Sequence, residues 1–118
     1  MIGNKFVVSY HTAGNLAANH TFCFTAQADM QLIHVSAVGS NSNSGLLIMG
    51  TTGSTAAYLA SASIGDSLVP VEFTRANFVG GEFPHIAKGT VVLATLDYDG
   101  AGGTATADFT LVLTFLEG

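Results

Sequence analysis

The chain has 118 residues, the size of one domain, and 48% of them are hydrophobic, so it has material for a core and is not a disordered segment. Only 9% are charged, against roughly a quarter in an ordinary soluble domain, and eight acids against Lys5, Arg75 and Lys88 leave a net charge of −5. Three cations are too few to neutralise a run of phosphates or to dock on anionic lipid, which argues against nucleic-acid and membrane-surface binding.

Met1 to Lys5 carries no apolar signal core and no stretch approaches a membrane span, so the expectation is synthesis in a cytoplasm without export. Strand signals then recur between clusters of Gly, Asn and Ser. Phe6, Val8 and Tyr10 alternate with Lys5, Val7, Ser9 and His11, and Phe22 and Phe24 alternate with Thr21, Cys23 and Thr25. Cys23 is the only cysteine; with no cation or helix start beside it, it reads as a small buried hydrophobe. Ile33, Val35 and Ala37 alternate with Leu32, His34 and Ser36, and Gly39 to Gly45 reads as a flexible hairpin tip leading to a short strand at Leu46 to Met49.

Ser54 to Ile64 fits two states, a helix capped by Ser54 or Thr55 or a strand, and the strand is preferred. Asp66 to Thr74 alternates again, with Val69, Val71 and Phe73 on one side and Leu68, Pro70, Glu72 and Thr74 on the other. Pro70 cannot donate to a ladder, which puts this strand at an edge or a bulge. Arg75 to Pro84 is the longest loop, Lys88-Gly89-Thr90 is a tight turn, and Val91 to Tyr98, apolar on both faces at its start, suits a central strand. Asp99 to Gly103 links it to the last strand, where Phe109, Leu111, Leu113 and Phe115 alternate with Asp108, Thr110, Val112, Thr114 and Leu116. Only period two gathers those four apolar residues on one side. About eight antiparallel strands over residues 1–118 predict a single all-β domain, a jelly-roll-like β-sandwich.

No catalytic apparatus is visible. A Gly-x-Ser-x-Gly elbow is absent, and His11, His20, His34 and His85 are scattered without ligand pairing. One metal candidate exists. Asp97 and Asp99 match positions one and three of a calcium loop, Gly102 the glycine position and Asp108 the last, but Ala101 lacks the oxygen expected at position five and the flanks are strands. The alternative is a β-hairpin with an Asp-Gly turn. Gly100-Ala101-Gly102-Gly103 leads into a strand, so no helix dipole faces a phosphate there. The expectation is a non-enzymatic chain with no cofactor and no metal. On the surface, Val112 and Leu116 lie opposite the core row of the last strand, and Leu68 does the same on its own strand. They are either ordinary scattered apolar exposure or a self-association face.

Lys88-Gly89-Thr90-Val91-Val92-Leu93-Ala94-Thr95-Leu96-Asp97-Tyr98-Asp99-Gly100, then Phe109 to Gly118, together with the Gly/Ala/Thr-rich strands and the unsignalled start, resembles the small head-decoration (cement) proteins and minor capsid proteins of tailed bacteriophages. The resemblance implies a β-sandwich or β-barrel, often trimeric, that sits on the major capsid protein at the virion surface and braces the shell without catalytic residues. Many such proteins grip the shell with an N-terminal arm, for which Met1 to Asn4 is short. Two rivals differ in kind. A glycan- or receptor-binding module of a phage tail or fibre predicts a groove lined by Tyr10, Tyr58 and Tyr98 with convergent Asp and Asn. A small hydrolase predicts a cleft that holds His and Asp together.

Overall fold

The computed structural model describes residues 4–118, so the opening segment Met1 to Asn4 lies outside it except for Asn4. The described residues form nine strands: β1 Lys5–Asn15, β2 His20–Thr25, β3 Met30–Val38, β4 Leu46–Thr51, β5 Leu59–Ser63, β6 Val71–Phe73, β7 His85–Ile86, β8 Val91–Asp97 and β9 Ala107–Glu117. Two short 3-10 turns, Arg75–Asn77 and Val79–Gly81, occupy the long loop, and no α-helix occurs among the described residues. One sheet has the order β1-β9-β3-β6, with β7 also on β3; the other has the order β2-β8-β4-β5. All strand pairs are antiparallel. The pairs β4·β5, β3·β6, β2·β8 and β1·β9 fall alternately in the second and the first sheet. These pairs nest in sequence as the rungs of an antiparallel ribbon, with β7 set aside on β3, and β3·β9 and β4·β8 join them within each sheet.

The core lies between the sheets and takes one face of every long strand, as the pleat requires. Phe109, Leu111, Leu113 and Phe115 of β9 are fully buried, against Leu47 and Met49 of β4 and Val92, Ala94 and Leu96 of β8. Phe22 reaches across to Phe109 with ring centroids 6.0 Å apart, and Phe24 meets Phe115 edge-on at 5.4 Å. Burying one such ring contributes roughly 1.5–3 kcal/mol.

Several expectations need correction. Ile33 does not face the core: a bulge between Leu32 and His34 shifts the register, so Met30, Leu32, Val35 and Ala37 turn inward. The strand at Asp66 to Thr74 shrinks to Val71–Phe73, because Ser67 and Leu68 take left-handed φ values of 51° and 65° in a turn and leave Leu68 and Val69 each 70% exposed. The edge position expected from Pro70 is where β6 lies. In Ser54 to Ile64 a turn comes first and only Leu59–Ser63 is strand. Gly50 explains that turn: a Cβ there would lie 2.1 Å from the Ser54 carbonyl, so the loop after β4 folds onto bare backbone.

Gly39 to Gly45 is no hairpin tip. It carries the chain from one sheet to the other, and its polar groups are satisfied on the way. Asn41 donates to the Ala105 carbonyl at 2.8 Å and accepts from the Ala107 amide at 3.0 Å, while Asn43 donates to the Asn41 and Gly65 carbonyls. Likewise β8 and β9 lie in different sheets, so Asp97 to Asp108 is a crossover and not a hairpin. Finally, Cys23 is exposed, because Phe22 and Phe24 take the inward positions of β2.

Candidate interaction faces

Each sheet turns one face outward. On the first, the strand registers set residues in rows. Leu116 sits between Lys5 and Gln31, Thr114 between Val7 and His34, Val112 between Ser9 and Ser36, and Thr110 between His11 and Val38. Val112 and Leu116 thus share this face, two rows apart on one strand, and both are half-buried. The surroundings are hydroxyls and aliphatic groups. Formal charges of the strands enter at the margins, through Lys5, Glu72 and Asp108. His11 Nδ1 lies 2.8 Å from Thr110 Oγ1, and His34 Nε2 lies 3.1 Å from Glu72 Oε1 in an exposed pair. An exposed pair of this kind contributes about 0–1 kcal/mol.

Leu68 lies on a turn beyond the strand rows of this face, at its Val112 end. Its amide donates to the Gly39 carbonyl, just past the end of β3, whereas Leu116 lies opposite Gln31 at the other end. At about 3.3 Å per residue Leu68 lies roughly 25 Å along the strand from Leu116 but only about 10 Å from Val112, which is opposite Ser36. Leu68 is a turn tip, with Val112 and Leu116 as the face.

The second outer face carries an apolar row that the candidates Leu68, Val112 and Leu116 do not include. Leu46 and Ile48 of β4 and Val91 and Leu93 of β8 turn outward beside Thr21, Cys23, Thr25 and Thr95. Asp97 is the one formal charge among the strand residues of this face. A shallow groove of about 260 Å³ runs past Asn19, Leu46, Ile48, Ser61, Thr95 and Asp97. The signal was present in the sequence, because β8 is apolar on both faces at its start.

The three carboxylates of the calcium candidate have separate surroundings. Asp97 lies on the second outer face. Asp99 accepts from the Ala101 amide within its own turn. Asp108 accepts from the Gly14 amide and from the Ser40 hydroxyl, each at 2.7 Å, so it ties β1, β9 and the start of the β3–β4 crossover together. Those bonds, Gly14 first and then Ser40, hold its carboxyl below the ordinary 3.8. Among the described residues no three His, Cys, Asp or Glu side chains gather to hold a metal ion.

The tyrosines of the glycan-binding alternative fall in three places. Tyr58 is buried at the core. Tyr10 stacks on Phe22 at 4.6 Å, where burial pushes its phenol above the usual range. Tyr98 stands beside Asp99 and Asp97, whose charges, Asp99 first, raise its phenol in turn. Its amide takes Asn19 Oδ1 as acceptor. The histidines stand on β1, β2, β3 and β7, and the one His–carboxylate pair among the described residues is His34 with Glu72. No helix among the described residues is long and apolar enough to cross a membrane.

No protein-family model matches the chain. No curated protein sequence matches it either. Among solved structures, it is similar to the pre-peptidase C-terminal domain of a Bacillus anthracis collagenase, at 14% identity and TM-score 0.47 over 94% of this chain and 88% of that one. It is also similar to a chain of Desmodium yellow mottle tymovirus, at 14% identity and TM-score 0.35 over 98% and 82%. A chain of the cyanophage Pam1 capsid asymmetric unit aligns over 99% of this chain and 87% of its own length, at 14% identity and TM-score 0.59. The β-sandwich described above is therefore a fold that a virus capsid unit also contains.

Proposed function

We propose that this chain is a virion structural protein that decorates and stabilises a capsid by burying its outer faces against other copies of itself and against the shell. The observation that carries this reading is the pair of outer sheet faces built from Thr, Ser, Val, Leu and Ile, with formal charge confined to their margins. Such a surface gains little from water and has no electrostatic barrier to being covered. The fold shared with a chain of the Pam1 capsid unit supports the same reading.

The strand orders β1-β9-β3-β6 and β2-β8-β4-β5, wound as one ribbon, support a jelly roll, in which two Greek keys face each other. Val112 and Leu116 supply the apolar centre of a contact on the first face, and Leu68 stands at the end of the molecule, where a shell contact can reach it. The partners are further copies, two of them in the trimers common in the family the sequence resembles, and a major capsid protein, which puts the protein on the virion surface. The glycan- or receptor-binding alternative predicts a tyrosine-lined groove with convergent Asp and Asn; Tyr58 is buried at the core, Tyr10 packs on Phe22, and Tyr98 stands with Asp97, Asp99 and Asn19.

The test is co-sedimentation of the purified protein with shells assembled without it. Retention on the shells is expected, and the double variant Val112→Lys, Leu116→Glu should bind at least tenfold more weakly while melting as the parent does. Absence of retention, or retention untouched by every charge placed on Leu68, Val112 and Leu116, contradicts the proposal.

A further inference from the structure

β1 is an open edge. It pairs with β9 alone among the described residues, and its register runs without interruption from Lys5 to Thr12 before shifting between Thr12 and Asn15. The Glu117 amide donates to the Asn4 carbonyl, which fixes the phase of the ladder. Antiparallel pairing alternates, so Phe6, Val8, Tyr10 and Thr12 bond to β9. The backbone groups of Lys5, Val7, Ser9 and His11 point away from the sheet.

Stable monomers blunt such edges with proline, bulges, short strands or clustered charge. Of the other edge strands, β2 of the second sheet is also plain but spans only six residues, His20–Thr25, while the rest are blunted. β6 has three residues behind Pro70, β7 has two behind Pro84, and the pairing of β5 with β4 is broken by a register shift. β1 has none of these between Lys5 and Thr12. Beside it the sandwich stays open. Phe6, Val8, Phe24 and Met30 line an apolar cleft of about 400 Å³ between β1 and β2. Further along, the Tyr10 ring on Phe22 closes the gap. Val7, on the outer side of the same edge, is 61% exposed.

From this we infer that β1 is a strand-pairing site whose occupant is β1 of a second copy, antiparallel and centred on Val8. The sequence is complementary to itself in that register. Val8 meets Val8, Phe6 meets Tyr10, Val7 meets Ser9, and Lys5, the one formal charge of the stretch, meets His11 rather than another Lys. Each Tyr10 then lies over the Phe6 end of the other copy's cleft, and the two first sheets become one continuous sheet. The contact is isologous and closes at two copies. It rests on the self-association reading, deepens it by naming a contact, and makes a dimer, not the family's trimer, the unit built through this edge.

The test uses the full chain in solution. Wild-type protein should scatter light as twice the 12.1 kDa chain. Val7→Pro and Ser9→Pro remove outward amides that β9 does not use, so both variants should melt cooperatively yet weaken the dimer at least 100-fold. In a Cys23→Ser background, Val8→Cys should oxidise to a covalent dimer, because non-hydrogen-bonded antiparallel pairs bring Cα atoms to about 4.5 Å, within disulfide range. A wild-type monomer, a folded proline variant that stays dimeric, or failure of Val8→Cys to cross-link overturns the edge contact. A trimer indifferent to both prolines would do so too, while leaving self-association through the sheet faces standing. Monomers that still co-sediment with shells would overturn the dimer and keep the decoration reading.

Discussion

Asp108, the second residue of β9, takes a left-handed conformation, φ 48°, which costs a non-glycine residue energy that its bonds to Gly14 and Ser40 must offset. Its lowered pKa means that the carboxylate stabilises the fold above pH 3.8 and loses that contribution as the pH falls through the lowered value. Replacing it, Asp108→Asn, should lower the melting temperature at neutral pH and flatten its dependence on pH in acid, which thermal melts across the acid range would show. Gly50 is fixed by a different constraint. A methyl group there would run into the Ser54 carbonyl, so Gly50→Ala should cost about 1–3 kcal/mol in denaturant titrations. Neither role is legible in the sequence, since both depend on loops that meet only after the ribbon has wound. Cys23 shows the opposite case, where an apolar composition suggested burial and a strand's alternation overruled it.

At the scale of elements, β9 is the strand that the sequence specifies most fully. Its four inward residues are buried as period two requires, and Phe109→Ala should cost about 3–5 kcal/mol. Here the pattern and the packing carry the same information. β3 shows where a pattern misleads. One extra residue in a bulge inverts the phase of everything before it, and nothing in a row of Leu, Ile, His and Val marks the position. The contrast is measurable: Leu32→Ala should cost about 2–5 kcal/mol, whereas Ile33→Thr, on the outer side of the bulge, should cost under about 1 kcal/mol. Leu68 departs from its expected strand for a related reason. Alternation over Asp66 to Thr74 resembles a strand, but the left-handed backbone at Ser67 and Leu68 turns the chain before β6 begins. The outer row of Leu46, Ile48, Val91 and Leu93 was readable in principle, because a strand apolar on both sides has to cover its second face with something.

For the whole molecule, the two-sheet architecture and the scarcity of charge were both legible, the first from spaced strand signals and the second from a count. The strand order was not, because nothing local in a ribbon tells which sheet each crossover enters. A virion role of the proposed kind depends on contact instead of chemistry. Apolar and hydroxyl-rich contacts are not screened by ions, so the assembled form should survive salt that dissolves charge-driven complexes. The most direct measurement is the solution mass of the purified protein by light scattering at about 0.05 M and about 1 M salt, conditions that bracket weak and strong screening. A fixed multiple of the 12.1 kDa chain, the same at both salt concentrations, is expected if the protein is completed by contact with its own kind. A monomer throughout, or an oligomer that falls apart as salt rises, would contradict it.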